Sequence, residues 1–110
     1  MSNLLAYVSL AAAIIFEVAG TSFLVRSEQF SRLVPSVLSG LFYLASFFLL
    51  SQALKAVPLG IAYATWGGLG IVLTAIIAVV LFKQSLDTPA MVGIAMIVGG
   101  VVIVNGFSRT

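Results

Sequence analysis

The sequence predicts an all-α membrane protein with four transmembrane helices per protomer, on three observations. Hydrophobic residues make up 62% of the 110 before its 10 glycines are counted, where a soluble domain has about 45–50% with glycine included. Charged residues are 7% of the chain, against about 25% in an ordinary globular protein. Eight charges cannot cover the surface of a soluble domain this size. Finally, clusters of polar residues divide the apolar sequence into four runs, each long enough to cross a bilayer.

The same composition excludes whole classes of function. A chain this apolar is not disordered, and five basic residues with a net charge of +2 give no basic face for nucleic acid. With no histidine and no cysteine, zinc sites, iron–sulfur clusters, disulfides and Cys/His or Ser-His-Asp centres are excluded. No metal and no cofactor is expected.

The first run, residues 4–25, carries one charge; the runs 35–54, 58–82 and 89–107 carry none. As helices they would be about 28–37 Å long, enough for a hydrocarbon core of roughly 30 Å. Period-2 alternation is absent, which speaks against barrel strands. Pro35, Pro58 and Pro89 each open a run, where a missing N–H costs little. Asp87-Thr88 supplies an N-cap candidate before the last run. The connections are short, so neighbouring helices run antiparallel, in one four-helix transmembrane domain over residues 1–110. A cleaved signal peptide is a poor account of the first run, which lacks a basic leader and is followed by three more spans.

Orientation is nearly unbiased. Lys55 and Arg109 fall on one side of the membrane, and Arg26, Arg32 and Lys83 on the other. With two against three, the positive-inside rule favours neither orientation strongly. Either other determinants fix one topology, or both orientations are inserted and an antiparallel dimer becomes possible.

Glu17 is the single charge inside a span. A carboxylate there costs at least ~2.5–3.5 kcal/mol on insertion scales, which makes it a functional-site candidate. The plainer alternative is a protonated or hydrogen-bonded acid that serves packing alone. No span holds a Lys or Arg to pair with it, so its counter-ion is a proton or a cation from outside. At 100° per residue, Ala6, Leu10, Ala13, Gly20, Thr21 and Leu24 share its stripe within about 60°. Small residues there admit a helix or a ligand, and Thr21 can donate a hydrogen bond one turn on.

Tyr43 lies midway along the second span, and Tyr63 and Trp66 one turn apart in the third. Aromatic faces attract desolvated cations, although near a span end they also serve as interfacial anchors. Gly67, Gly68 and Gly70 follow, a cluster suited to a hinge or to a packing notch. Gly93 and Gly100, seven apart on the fourth span, make a smooth strip for helix association. Asn105 on the same helix is a candidate interhelical hydrogen-bonding residue. Four short helices scarcely enclose a substrate path, so an oligomer is expected. A site that holds protons or a cation, but not both, couples their flows in opposite directions.

These residues resemble the small multidrug resistance transporters along essentially the whole chain. The matching elements are E-V-x-G-T at 17–21, S-E-x-F-S-R at 27–32 followed by Pro35, and Ser46-Phe47 with Leu49-Leu50-x-Gln52. G-I-A-Y-A-x-W-x-G-x-G-I-V at 60–72, the third loop K-Q-S-L-D at 83–87 and the glycine face from Gly93 to Gly100 complete the set. The resemblance implies an antiparallel, dual-topology homodimer in the bacterial plasma (inner) membrane, exporting toxic cations in exchange for protons. It implies Glu17 as the shared proton and substrate site. Trp66, Tyr63, Tyr43 and Thr21 would line the pocket, with Tyr7 near its mouth. Gly68 and Gly70 would form a third-helix hinge, and Gly93 and Gly100 the dimer contact. Gly20, where guanidinium exporters of the family carry tryptophan, and Tyr43 indicate the multidrug branch. Val25 and Gly67 depart from the family pattern, which often has lysine and a hydroxyl residue there. A guanidinium or polyamine exporter and a non-transporting structural subunit are the alternatives. An enzyme has little support, since Glu17 has no second catalytic group.

Overall fold

A computed structural model describes residues 3–107 as four α-helices: α1 Asn3–Arg26, α2 Leu33–Ala53, α3 Leu59–Val80 and α4 Thr88–Phe107. No strand occurs among the described residues. All four helices are long and apolar enough to cross a membrane, with mean hydropathy from 1.9 to 2.2. The expected four-span, all-α architecture is what the chain adopts. Arg109, counted above for topology, lies outside the described residues.

The helix ends refine the expected boundaries. α1 extends one residue beyond 4–25 at each end. α2 begins at Leu33, so Pro35 sits inside its first turn. That is tolerated because the first four N–H groups of a helix have no intrahelical acceptor. Pro58 is the N-cap of α3 with φ −57°. α3 stops at Val80, short of the expected Phe82, because Lys83 turns left-handed at φ 55°. The Gln84 N–H then returns to the Ala78 carbonyl at 2.9 Å. Asp87 caps α4, its Oδ1 accepting the Ala90 N–H at 2.9 Å, which fulfils the N-cap expectation and starts the helix at Thr88.

The first loop is tighter than its sequence suggests. Glu28, Gln29 and Phe30 are all left-handed, with φ of 49°, 64° and 65°. Non-glycine residues rarely enter that region, and buried Ser27 supports them here. Its hydroxyl donates to the Leu24 carbonyl at 2.6 Å and accepts the Phe30 N–H at 3.1 Å.

The chain divides after Val57 into two compact units, α1–α2 and α3–α4. In the first, Ala6, Leu10, Ala13, Ile14 and Val18 of α1 are buried. Phe42 of α2 stands 5.6 Å from both Phe16 and Phe23, stacked on the latter. In the second, Ile61, Ala62, Thr65, Gly68 and Gly70 of α3 are buried, while α4 buries no described residue. α3 runs through Gly67, Gly68 and Gly70 without a break in the helix.

Candidate functional site

Glu17 lies near the middle of α1 and is half-buried. The Thr21 hydroxyl, one turn on, donates to its Oε1 at 3.0 Å. The same hydroxyl oxygen is 2.7 Å from the Tyr43 hydroxyl of α2. An ionised carboxylate only accepts. With Glu17 ionised, the Thr21 proton therefore points at the acid and Tyr43 donates to Thr21. With Glu17 protonated, the acid can donate and the whole chain can reverse. Two hydroxyls thus carry the protonation state of Glu17 from α1 to α2.

Helix packing holds this chain in register. The Ser46 hydroxyl donates to the Ala13 carbonyl at 2.8 Å, and the Ser39 hydroxyl to the Gly20 carbonyl at 2.9 Å. The two serines are seven residues apart on α2 and their acceptors seven apart on α1, in the opposite chain direction. They bracket Glu17, one turn to either side. Both serines are fully buried, and in lipid a broken hydrogen bond finds no water to replace it. α-Helical pairing also assigns the Ala13 carbonyl to the Glu17 N–H, so Ser46 grips the backbone at the acid's own hydrogen bond.

Gly20 makes the close approach possible. A Cβ there would lie 3.2 Å from two ring carbons of Tyr43 and 3.3 Å from the Ser39 carbonyl. A larger side chain would push Tyr43 away from Thr21. At Ala13 and Gly20, the small residues of the Glu17 stripe therefore admit α2.

The remaining expected site residues lie farther along α1 and on α3 and α4. Tyr7 is 42% exposed and stands about 15 Å along α1 from Glu17. Tyr63 is 59% exposed and Trp66 half-buried, three residues apart on α3 of the other unit. The glycines of α3 differ among themselves. A Cβ at Gly68 would overlap a methyl of Val101 on α4, whereas one at Gly67 would meet open space. Gly93 and Gly100 likewise have nothing within 4 Å of an added Cβ.

Three polar residues outside the expected site complete the interhelical bonding. Ser39 and Thr65 gave no sequence signal beyond their modest polarity, and Ser46 stood out only through the motif around it. Asn105 meets its expectation: its amide donates to Thr65 Oγ1 at 2.8 Å and to the Val101 carbonyl at 2.9 Å. Among the described residues, no group of three or more His, Cys, Asp or Glu side chains could hold a metal.

Comparison with known proteins follows the same lines. The family model described as Small Multidrug Resistance protein matches residues 5–97. The chain is 48% identical over 104 residues to "Multidrug transporter EmrE" of Escherichia coli (strain K12), covering 94% of each. It is 48% identical over 103 residues to "Quaternary ammonium compound-resistance protein QacF" of Klebsiella aerogenes, again with 94% of each covered. To "Quaternary ammonium compound-resistance protein QacH" of Staphylococcus saprophyticus it is 39% identical over 104 residues, 94% of this chain and 97% of that one.

Proposed function

This chain belongs to the small multidrug resistance family, and we propose that it is a proton-coupled antiporter exporting lipophilic and quaternary ammonium cations. It is a four-helix, multi-pass protein of the bacterial plasma (inner) membrane and a transporter, not an enzyme. In the proposed mechanism two chains work as an antiparallel, dual-topology homodimer, and Glu17 of each is shared by protons and substrate. Tyr7, Tyr43, Tyr63 and Trp66 surround the cation, Gly68 and Gly70 let α3 bend between access states, and Gly93 and Gly100 meet the second copy.

The observation that carries this reading is the carboxylate of Glu17, set deep in a span and hydrogen-bonded by the neutral Thr21 hydroxyl, which in turn meets that of Tyr43. Neutral donors stabilise its charge without occupying the place of a cation. A proton and a cation then compete for one oxygen pair, so the binding of one excludes the other and the site exchanges them across the membrane. Aromatic faces suit cations that lack hydrogen-bond donors. The packing of the Tyr43 ring over Gly20, where an added Cβ would lie 3.2 Å from two ring carbons, supports the multidrug branch over guanidinium export, because a tryptophan at position 20 would displace Tyr43. The near-even distribution of Lys and Arg supports insertion in both orientations.

Proteoliposomes loaded at acid pH provide the test. Wild-type protein should accumulate radiolabelled tetrapropylammonium while the internal pH rises, and Glu17→Gln should insert normally and accumulate none. Gradient-driven uptake by purified Glu17→Gln would sink the mechanism.

A further inference from the structure

We propose that Thr65 and Asn105 form a clasp that joins the first half of α3, with its Tyr63 and Trp66, to the end of α4 as one body. Bending of α3 at its glycines then moves its second half and leaves the aromatic residues aligned. The inference rests on the functional reading above for the meaning of that alignment, and on the geometry of the α3–α4 unit for the clasp itself.

Thr65 is 6% exposed and accepts a hydrogen bond from the Asn105 amide at 2.8 Å. The second amide hydrogen goes to the Val101 carbonyl one turn back at 2.9 Å. Both protons of the amide are used, and its plane is fixed to α4 before it reaches α3. One turn along α3 from Thr65, Gly68 lies directly beneath the side chain of Val101. The pairs 65–105 and 68–101 follow one antiparallel register. Together they fix both the height of α3 against α4 and its rotation about its own axis.

Rotation matters because Trp66 is the next residue. At 100° per residue, a fixed Thr65 gives a fixed direction for the Trp66 Cα–Cβ bond. An apolar groove of about 410 Å³ opens between the second half of α3 and the first half of α4, lined by Val72, Ile76, Val79, Leu86, Met91 and Ile94 among others. No residue along it offers a side-chain hydrogen bond. The clasp therefore sits on one side of the glycine cluster and a polar-free gap on the other, so the hinge has one held half and one free half. Thr65 and Asn105 are positioning residues for Trp66.

Trp66 is the single tryptophan of the chain, so intrinsic fluorescence of the full-length protein in detergent reads its setting directly. Thr65→Val keeps the shape and removes the acceptor; Asn105→Leu removes the donor; Thr65→Ser keeps the hydroxyl. Thr65→Val and Asn105→Leu should each shift the Trp66 emission and lower its anisotropy. Each should weaken tetrapropylammonium binding by about threefold and at most about eighteenfold, the range of one interhelical hydrogen bond in a membrane. The double variant should be no weaker than either single one, because both remove the same bond. Thr65→Ser should keep wild-type emission, and circular dichroism should report equal helix content throughout. If Asn105→Leu fails to fold, emission of Thr65→Val against Thr65→Ser decides the matter alone. Unchanged emission in Thr65→Val, or effects of the two single variants that add, would overturn the clasp. Emission is recorded without cation or pH gradient. A wild-type protein that binds no cation would thus refute the functional reading and leave the clasp to be decided by fluorescence.

Discussion

The two helical hairpins of this chain are joined internally by different means. α1 and α2 make by far the more extensive contact, and their buried serines tie two carbonyls at matching seven-residue intervals around Glu17. α3 and α4 share one hydroxyl–amide bond and a close approach at Gly68, and line an apolar groove farther along. In lipid, apolar side chains gain nothing from leaving water, so helix association depends on close packing and hydrogen bonds. The first hairpin uses both on either side of Glu17. The second uses both at one end and lines an apolar groove at the other. In the proposed mechanism the ion site uses the first arrangement and the conformational switch the second.

The contrast can be broken at the glycines. Gly68→Ala should have the largest effect, since its Cβ would overlap Val101. The expected cost is about 1–3 kcal/mol of stability, as for other overpacked positions. Thermal unfolding in detergent checks this, and Val101→Ala in the same chain should restore most of the loss. If Gly68→Ala is neutral, α3 and α4 do not approach as described.

The serines sharpen the comparison. Ser39→Ala and Ser46→Ala should each cost about 0.6 kcal/mol and at most about 1.7, the range measured for interhelical hydrogen bonds in a membrane. Their acceptors lie about 10 Å apart along α1 and share no partner, so the two losses should add. Only Ser46→Ala should also alter cation affinity, because its acceptor shares the carbonyl paired with the Glu17 N–H. Equal effects on affinity from both serines would remove that distinction.

The smallest effect on the single chain is expected at Gly93 and Gly100, where an added Cβ meets nothing. Gly100→Ala should leave monomer helicity and insertion unchanged. If α4 meets a second copy there, the same change should reduce the cross-linked dimer and the transport rate together. A dimer yield equal to wild type would move the interface elsewhere.

Much of this arrangement can be read from the sequence, and the unread part has a physical cause. Four spans follow from length, hydropathy and three prolines, and Glu17 from being a charge where none is tolerated without reason. Thr21 follows from helical spacing. Ser39, Ser46 and Thr65 do not, because a lipid-embedded helix is apolar all round and its polarity does not mark the packing face. Among three neighbouring glycines, only the contact with Val101 distinguishes Gly68 from Gly67. The end of α3 escapes notice because lysine at position 83 gives no hint of a left-handed turn.

Calorimetric titration of tetrapropylammonium into the purified protein, across a pH series and in buffers of different ionisation enthalpy, tests the shared use of Glu17 most directly. Cation binding to wild-type protein should release protons. The apparent Kd should rise as pH falls, by up to about tenfold per unit for each proton displaced. The sign follows from competition: at low pH the site is occupied by protons that the cation must expel. Glu17→Gln should show neither the proton release nor the pH dependence. Tight binding to wild-type protein with a Kd independent of pH and no protons released would contradict the competition on which antiport depends.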